Sequence, residues 1–169
     1  LRWIIRTFNY HNCSNCHYEE NLGSLEFHAL GVKDMDQSPS FNTRPTDRRN
    51  LGRGGFTMKE EDNYKFKVPG IYNAGDAPFY FHGASKRSLE QLIDYKNEAL
   101  TENNRVDQSR LSSKFLPLGL TDDEKAQLIA FIEGGLKDPD MSRHAPSSLL
   151  SGFCFPNNDA QSRIDLGCN

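Results

Sequence analysis

The chain has 169 residues, 20 basic and 23 acidic, with a net charge of −3 and a mean hydropathy of −0.70. That length allows one domain with a modest core. The interspersed charges form neither the basic stripe of a nucleic-acid binder nor a like-charge tail. Only 36% of residues are apolar, and no apolar run approaches the ~18 residues that a membrane span requires.

In chain order, Leu1 to Phe8 has apolar residues at 1, 3, 4, 5 and 8 and predicts a short helix. No secretory leader is visible, and Leu1 in place of Met reads as a processed end or a fragment boundary. Cys13-Ser14-Asn15-Cys16-His17 follows. Residues 36–55, rich in Pro, Asn, Arg and Gly, read as a long loop, and 63–68 as a brief extended segment ending at Pro69. The clearest helix covers 88–100, with Ser88 and Gln91 as a capping box and Leu89, Leu92, Ile93 and Leu100 as its apolar stripe. A second spans about 122–133, opened by Thr121 and Glu124 and closed by Gly134-Gly135. From Lys137 onward the chain is polar and contains Pro, a tail expected to lie over the domain. There is no internal repeat.

The Cys13-x-x-Cys16-His17 motif carries the chemistry. With 4 Cys and 5 His in 169 residues, it arises by chance about 0.003 times. A single C-x-x-C makes a poor structural zinc site, and the βαβ context of a thioredoxin-like motif is absent. Two thiols one helical turn apart suit thioether formation with the two vinyl groups of haem, and the next imidazole then reaches the iron. Cys13 and Cys16 are therefore predicted to hold one covalent haem c, with His17 as proximal ligand. A lean chain with 13 Gly and 8 Pro agrees with a bulky apolar cofactor completing the interior. The predicted fold is all-α: a cytochrome c-like haem domain with long ordered loops over 1–136, and an irregular tail over 137–169 packed on it.

An electron-transfer haem needs a second axial ligand, whereas a reactive haem leaves that position open. His11 is too close to the haem cysteines, and Met141 and His144 lie in the polar tail. Lys96 sits on the apolar stripe of the capped helix, four residues after Leu92. A lysine there either snorkels to solvent or, desolvated and neutral, can bind iron. Tyr95 is adjacent, and His82 follows the aromatic run Phe79-Tyr80-Phe81, which suits a haem wall.

The order of these motifs resembles the bacterial di-haem cytochrome c peroxidase family, including its methylamine-utilisation relatives. The segments carrying the likeness after C-x-x-C-H are Phe27-His28-Ala29-Leu30-Gly31-Val32 and Tyr64-Lys65-Phe66-Lys67-Val68-Pro69. They continue with Ala77-Pro78-Phe79-Tyr80-Phe81-His82-Gly83, Ser88-Leu89-Glu90-Gln91 and Leu118-Gly119-Leu120-Thr121. The likeness covers roughly 13–135 and is to the C-terminal, electron-relay domain. In the family, the relay haem's distal ligand is a Met or Tyr 14 residues after the His of the aromatic-His-Gly motif. Counting from His82 reaches Lys96, with Tyr95 one residue earlier, so the ligand departs from the family pattern. The resemblance further implies a calcium site between two domains, partly from backbone near Ala77-Pro78, which a single domain leaves incomplete. It also implies a tail disulfide between Cys154 and Cys168, worth ~3 kcal/mol for such a loop.

The expected function is single-electron transfer through one haem c, in a periplasmic or extracellular compartment. The alternatives are part of a peroxide-reducing di-haem enzyme, with His82 as the acid/base candidate, or a structural or assembly cytochrome. The expected partner is a redox protein or a second haem domain, with oligomer formation left open.

Overall fold

The computed structural model describes residues 13–140 and 160–165. The predicted helix at 1–8, together with His11, Met141, His144, Cys154 and Cys168, lies outside the described residues. The chain divides into two compact units, Leu1–Lys137 and Asp138–Asn169. In the second, the described secondary structure is the short helix Ala160–Asp165.

In the first unit, two helices do most of the packing. The first, Leu89–Glu98, starts at Ser88, whose hydroxyl accepts the Gln91 backbone N–H. Gln91 does not close the box on Ser88; its side chain instead accepts the Arg87 N–H at 2.8 Å. The helix stops at Ala99, which adopts the left-handed conformation (φ 51°). It therefore ends earlier than its apolar pattern suggests, and Leu100 is 66% exposed. The second helix, Asp122–Ala130, has a complete capping box between Thr121 and Glu124. It runs on through one wide turn, Phe131–Gly135.

Leu89 and Ile93, one turn apart, face Leu128 and Ile132 of the second helix, and Leu120 and Leu136 complete this core. Each such side chain contributes ~1.5–3 kcal/mol on burial. The Asn97 side chain clamps the approach to the second helix, accepting the Leu120 N–H at 2.7 Å and donating to the Leu120 carbonyl. The opposite flank of the first helix carries Tyr95 into a second, smaller core with Val32 and Phe115.

The rest of the unit corrects the all-α expectation. Phe27–His28 and Phe66–Lys67 form a two-stranded antiparallel sheet, with Phe27 opposite Lys67 and His28 opposite Phe66. The segment around the second strand bonds on both sides. Tyr64 N–H donates to Leu51, Arg53 N–H to Lys65, and Val68 N–H to Glu26. Gly52 makes this approach feasible: its φ is +55°, and a Cβ there would sit 2.4 Å from the Lys65 carbonyl oxygen. The loop expected over 36–55 contains single turns at Arg48–Leu51 and Arg53–Thr57. The fold is mixed because this stretch has too few periodic apolar residues to bury a helical face, so its backbone polar groups are satisfied by turns and strand pairing. Among the described residues, no helix is long and apolar enough to cross a membrane.

A buried ionic network joins distant loops. Asp34, fully buried, accepts from Arg105 Nη1 at 3.0 Å. Arg105 also grips Asp36 in a two-pronged contact at 2.8 Å for each pair of atoms. That contact holds the Asp36 carboxyl below the usual carboxylate range. Asn50 donates to Asp36 and accepts the Met35 N–H. Asn103 donates to the Val32 carbonyl. An unpaired buried carboxylate is expensive. Arg105→Ala is accordingly expected to destabilise the chain by about 3 kcal/mol or more, while Arg48→Ala, at an exposed site, stays within about 0.5 kcal/mol of the parent. Urea denaturation of the two variants checks the difference.

Candidate functional site

Cys13–Asn15 forms one tight turn, closed by Cys16 N–H and His17 N–H donating to the Cys13 carbonyl at 3.2 and 3.0 Å. This turn puts both sulfurs and the imidazole on a single short stretch of backbone. Neither cysteine forms a disulfide. Burial, the largest influence, pushes the Cys13 thiol up to about 11 and raises Cys16 as well, so both are neutral thiols near pH 7.

The next loop orients His17. Glu19 N–H donates to Gly23, Leu22 N–H donates to Glu19, and Leu22 takes a left-handed φ of 51°. The Leu22 carbonyl then lies 2.6 Å from His17 Nδ1. A carbonyl only accepts, so Nδ1 carries the proton and Nε2 keeps its lone pair. Burial lowers the His17 pKa, against the opposing pull of the Leu22 and Pro69 backbone, and favours this neutral form. Gly23 lets the loop close against Pro69 and Gly70, where a Cβ would sit 2.8 Å from the Gly70 nitrogen.

The first helix supplies the other residues of interest. Tyr95 is 5% exposed and donates its hydroxyl to the Leu30 carbonyl at 2.6 Å. Its ring packs against Phe81 and Phe115, each with centroids 5.4 Å away, and Lys86 lies over its face. Burial raises its pKa and disfavours a phenolate. Lys96 points elsewhere: its Nζ lies 5.8 Å from the Phe81 centroid and 5.6 Å from that of Phe115. Burial draws its pKa down to about 8, against attraction from Cys16 and Cys13, and its charge is in turn felt at His17. The helix amine and the cysteine-histidine turn therefore face the same space.

His82 belongs to different surroundings. Phe81 has a φ of +64°, which sends consecutive rings in different directions. Phe81 packs on Tyr95, whereas His82 stacks on Phe66 at 3.7 Å and approaches Asp34 at 3.4 Å through Nε2. His28 uses both ring nitrogens, towards Ser112 Oγ at 2.9 Å and Glu26 at 3.0 Å. Lys114 binds Glu26 and the Asn15 carbonyl, tying the cysteine turn to the segment that carries Phe115.

Phe115 and the Leu22 carbonyl were missed by the sequence reading. Phe115 is a single aromatic in an aperiodic loop, and the Leu22 contribution is a main-chain oxygen, which no residue pattern displays. Among the described residues, no group of three or more His, Cys, Asp or Glu side chains is arranged to hold a metal ion. The calcium expectation rests on family resemblance alone.

These features define a cytochrome c-like domain. The fold matches the crystal structure of a MauG-like protein associated with microbial copper homeostasis, with a TM-score of 0.66 and 24% identity over 82% of this chain and 47% of that one. In sequence, the chain is similar to cytochrome c peroxidase Ccp of Escherichia coli K12, 31% identical over 86 residues, which are 51% of this chain and 17% of that protein. It is also similar to cytochrome-c peroxidase IdrP2 of Denitromonas iodatirespirans, 27% identical over 92 residues, or 54% of this chain and 23% of that one. No family model matches. The chain is thus similar to cytochrome c peroxidases over about half its length, and the matched segments span less than a quarter of the length of these curated relatives.

Lys96 makes stability depend on pH. Its folded pKa of about 8 lies below the ordinary 10.5, so below pH 8 the folded chain bears the full cost of burying a cation. That cost is relieved as pH rises from about 8 to about 10.5, because across this window the unfolded state binds more protons. Lys96→Met is expected to raise the stability of the cofactor-free chain near pH 7 and to flatten its rise towards pH 10.5, read from urea denaturation across that range.

Proposed function

We propose that this chain holds one haem c through thioethers at Cys13 and Cys16, with His17 Nε2 on the iron, and passes single electrons as the relay unit of a peroxidase-family protein. One observation carries the reading. His17 Nδ1–H donates to the Leu22 carbonyl at 2.6 Å, leaving Nε2 unprotonated beside two thiols on a single turn. A backbone acceptor on the non-coordinating nitrogen is the usual second-sphere arrangement of a metal-binding histidine. The kinship with cytochrome c peroxidases supports the choice of haem.

Haem c supplies a one-electron Fe(III)/Fe(II) couple when bound. The protein groups do the rest. Leu22 holds the His17 ring in one tautomer and orientation. Phe81, Tyr95 and Phe115 form an apolar wall on the side reached by Lys96 and restrict water there. Thioether formation leaves the two sulfurs unable to ionise, so that no thiolate can favour protonated Lys96 at higher pH. Attachment of haem c and a Cys154–Cys168 disulfide both suit a periplasmic or extracellular location.

A second reading follows from length. The matched segments cover 17% and 23% of the peroxidase relatives. On this reading the chain works beside a second haem domain, and reduction of hydrogen peroxide, a two-electron reaction, is shared between two irons. His82, already engaged with Asp34 and Phe66, would then have no acid/base duty in this domain.

Production of the chain with a cytochrome c maturation system tests the assignment. The expected product gains the mass of one haem, which stays attached under denaturing conditions, and Cys13→Ala/Cys16→Ala loses it. The isolated chain is expected to exchange electrons with small redox mediators while turning over peroxide no faster than free haem. Rapid peroxide turnover by the chain alone would overturn the relay assignment.

A further inference from the structure

Three partly buried lysines in this unit have anionic partners. Lys86 pairs with Glu102 at 2.9 Å, Lys114 with Glu26 at 2.6 Å, and Lys125 with Asp94 and Asp122 at 3.0 and 2.9 Å. Lys96 does not follow the pattern. Among the described residues its amine has no hydrogen-bond or ion-pair partner, and its contacts are the faces of Phe81 and Phe115. Holding a cation in an apolar enclosure without an anion is costly, and cation–π contact offsets only part of that cost. A neutral amine in the same place has a lone pair to give and nothing on the protein to receive it.

The surroundings fix where that lone pair acts. Lys96 Nζ lies 5.6 Å from the Phe115 ring, and Lys114, the residue before that ring, donates to the Asn15 carbonyl of the cysteine turn at 2.8 Å, which sets the amine and the turn on tied segments. Its position on the helix is held from both sides. Tyr95, the residue before it, is pinned to Leu30 through its hydroxyl, and Asn97, the residue after it, is clamped to Leu120. Three other donors are committed elsewhere: the Tyr95 oxygen to Leu30, both His28 nitrogens to Ser112 and Glu26, and His82 to Asp34. Met58 is exposed and rests against Arg48.

We propose that Lys96 Nζ is the second axial ligand of the haem iron, giving this domain a histidine–lysine haem with two nitrogen donors. The inference rests on haem attachment at Cys13 and Cys16 and goes beyond it. It replaces the Met or Tyr implied by family resemblance with an amine, which is a harder donor than a thioether and a more strongly σ-donating, uncharged alternative to a phenolate. An iron filled on both sides does not bind peroxide at rest, and nitrogen in place of a thioether lowers the reduction potential.

The test uses the haem-loaded chain, with mass spectrometry confirming one haem in every sample. Electron paramagnetic resonance and near-infrared magnetic circular dichroism are expected to show a low-spin ferric centre with the charge-transfer band of amine–imidazole ligation. Lys96→Arg keeps the stem and the charge but cannot deprotonate to bind. It is expected to lose that band and to take up cyanide about tenfold faster or more. Lys96→Met is expected to gain a thioether-to-iron band in the red, and Tyr95→Phe to keep the parent spectrum. Pulsed resonance on the parent chain labelled with 15N at lysine Nζ needs no substitution, and its expected result is a directly coupled 15N. A haem-loaded Lys96→Arg protein with the parent spectrum, or a parent with no coupled lysine nitrogen, would overturn the ligand assignment alone. A parent chain without covalent haem would overturn the haem assignment, and this inference with it.

Discussion

The hydrogen bond from the Tyr95 hydroxyl to the Leu30 carbonyl, 2.6 Å long and spanning 65 residues, sets the geometry on which the site depends. It fastens the helix Leu89–Glu98 to the segment leaving the first strand, and so fixes the rotation of that helix about its axis. With Ile93 facing one core and Tyr95 the other, rotating the helix about its axis would break contacts in both cores. The bond also removes the tyrosine oxygen from coordination chemistry.

The cysteine-histidine turn is held by separate means. Its orientation comes from backbone groups, the Leu22 carbonyl on His17 and the Asn15 carbonyl under Lys114. Its distance from the helix comes from Phe115, which belongs to the loop that Lys114 anchors. A loop-rich unit keeps such distances constant through cross-links between segments, here supplied by the strand pairing of 27–28 with 66–67 and by Arg105 with Asp34 and Asp36. Polar networks of this kind rigidify when every member is satisfied. Asp34, Asp36, Asn50 and Arg105 meet that condition together.

What could be read from sequence depended on whether the determining signal was local. The helices at 89–98 and 122–130 were legible because capping residues and an apolar stripe lie within a few positions of one another. The Cys13-Cys16-His17 turn was legible because its chemistry demands that spacing. Of the small sheet, the extended stretch holding Phe66–Lys67 was legible, but Phe27–His28 is too short to show a period of two, and its pairing joins residues far apart in the chain. The all-α expectation failed there for that reason. The Asp34–Arg105 contact joins residues 71 apart, which charge counting along the chain cannot reveal. Lys96 was marked by its place on an apolar stripe, but the choice between it and Tyr95 required knowing where each side chain ends.

Division of labour in peroxide chemistry gives these details their sense. Reduction of peroxide to water needs two electrons and an iron that peroxide can reach. A domain that delivers electrons one at a time has the opposite requirement, because an open coordination site would invite side reaction. With haem held as proposed, uncharged sulfurs, the single His17 tautomer and the aromatic residues around Lys96 would all favour a closed, uncharged and dry iron environment. Low reorganisation follows from such an environment, since few solvent dipoles and no loosely held ligand need to move when the iron changes charge. On the proposed relay reading, the features that would make this domain a poor place to bind peroxide would also make it a good place through which to pass an electron.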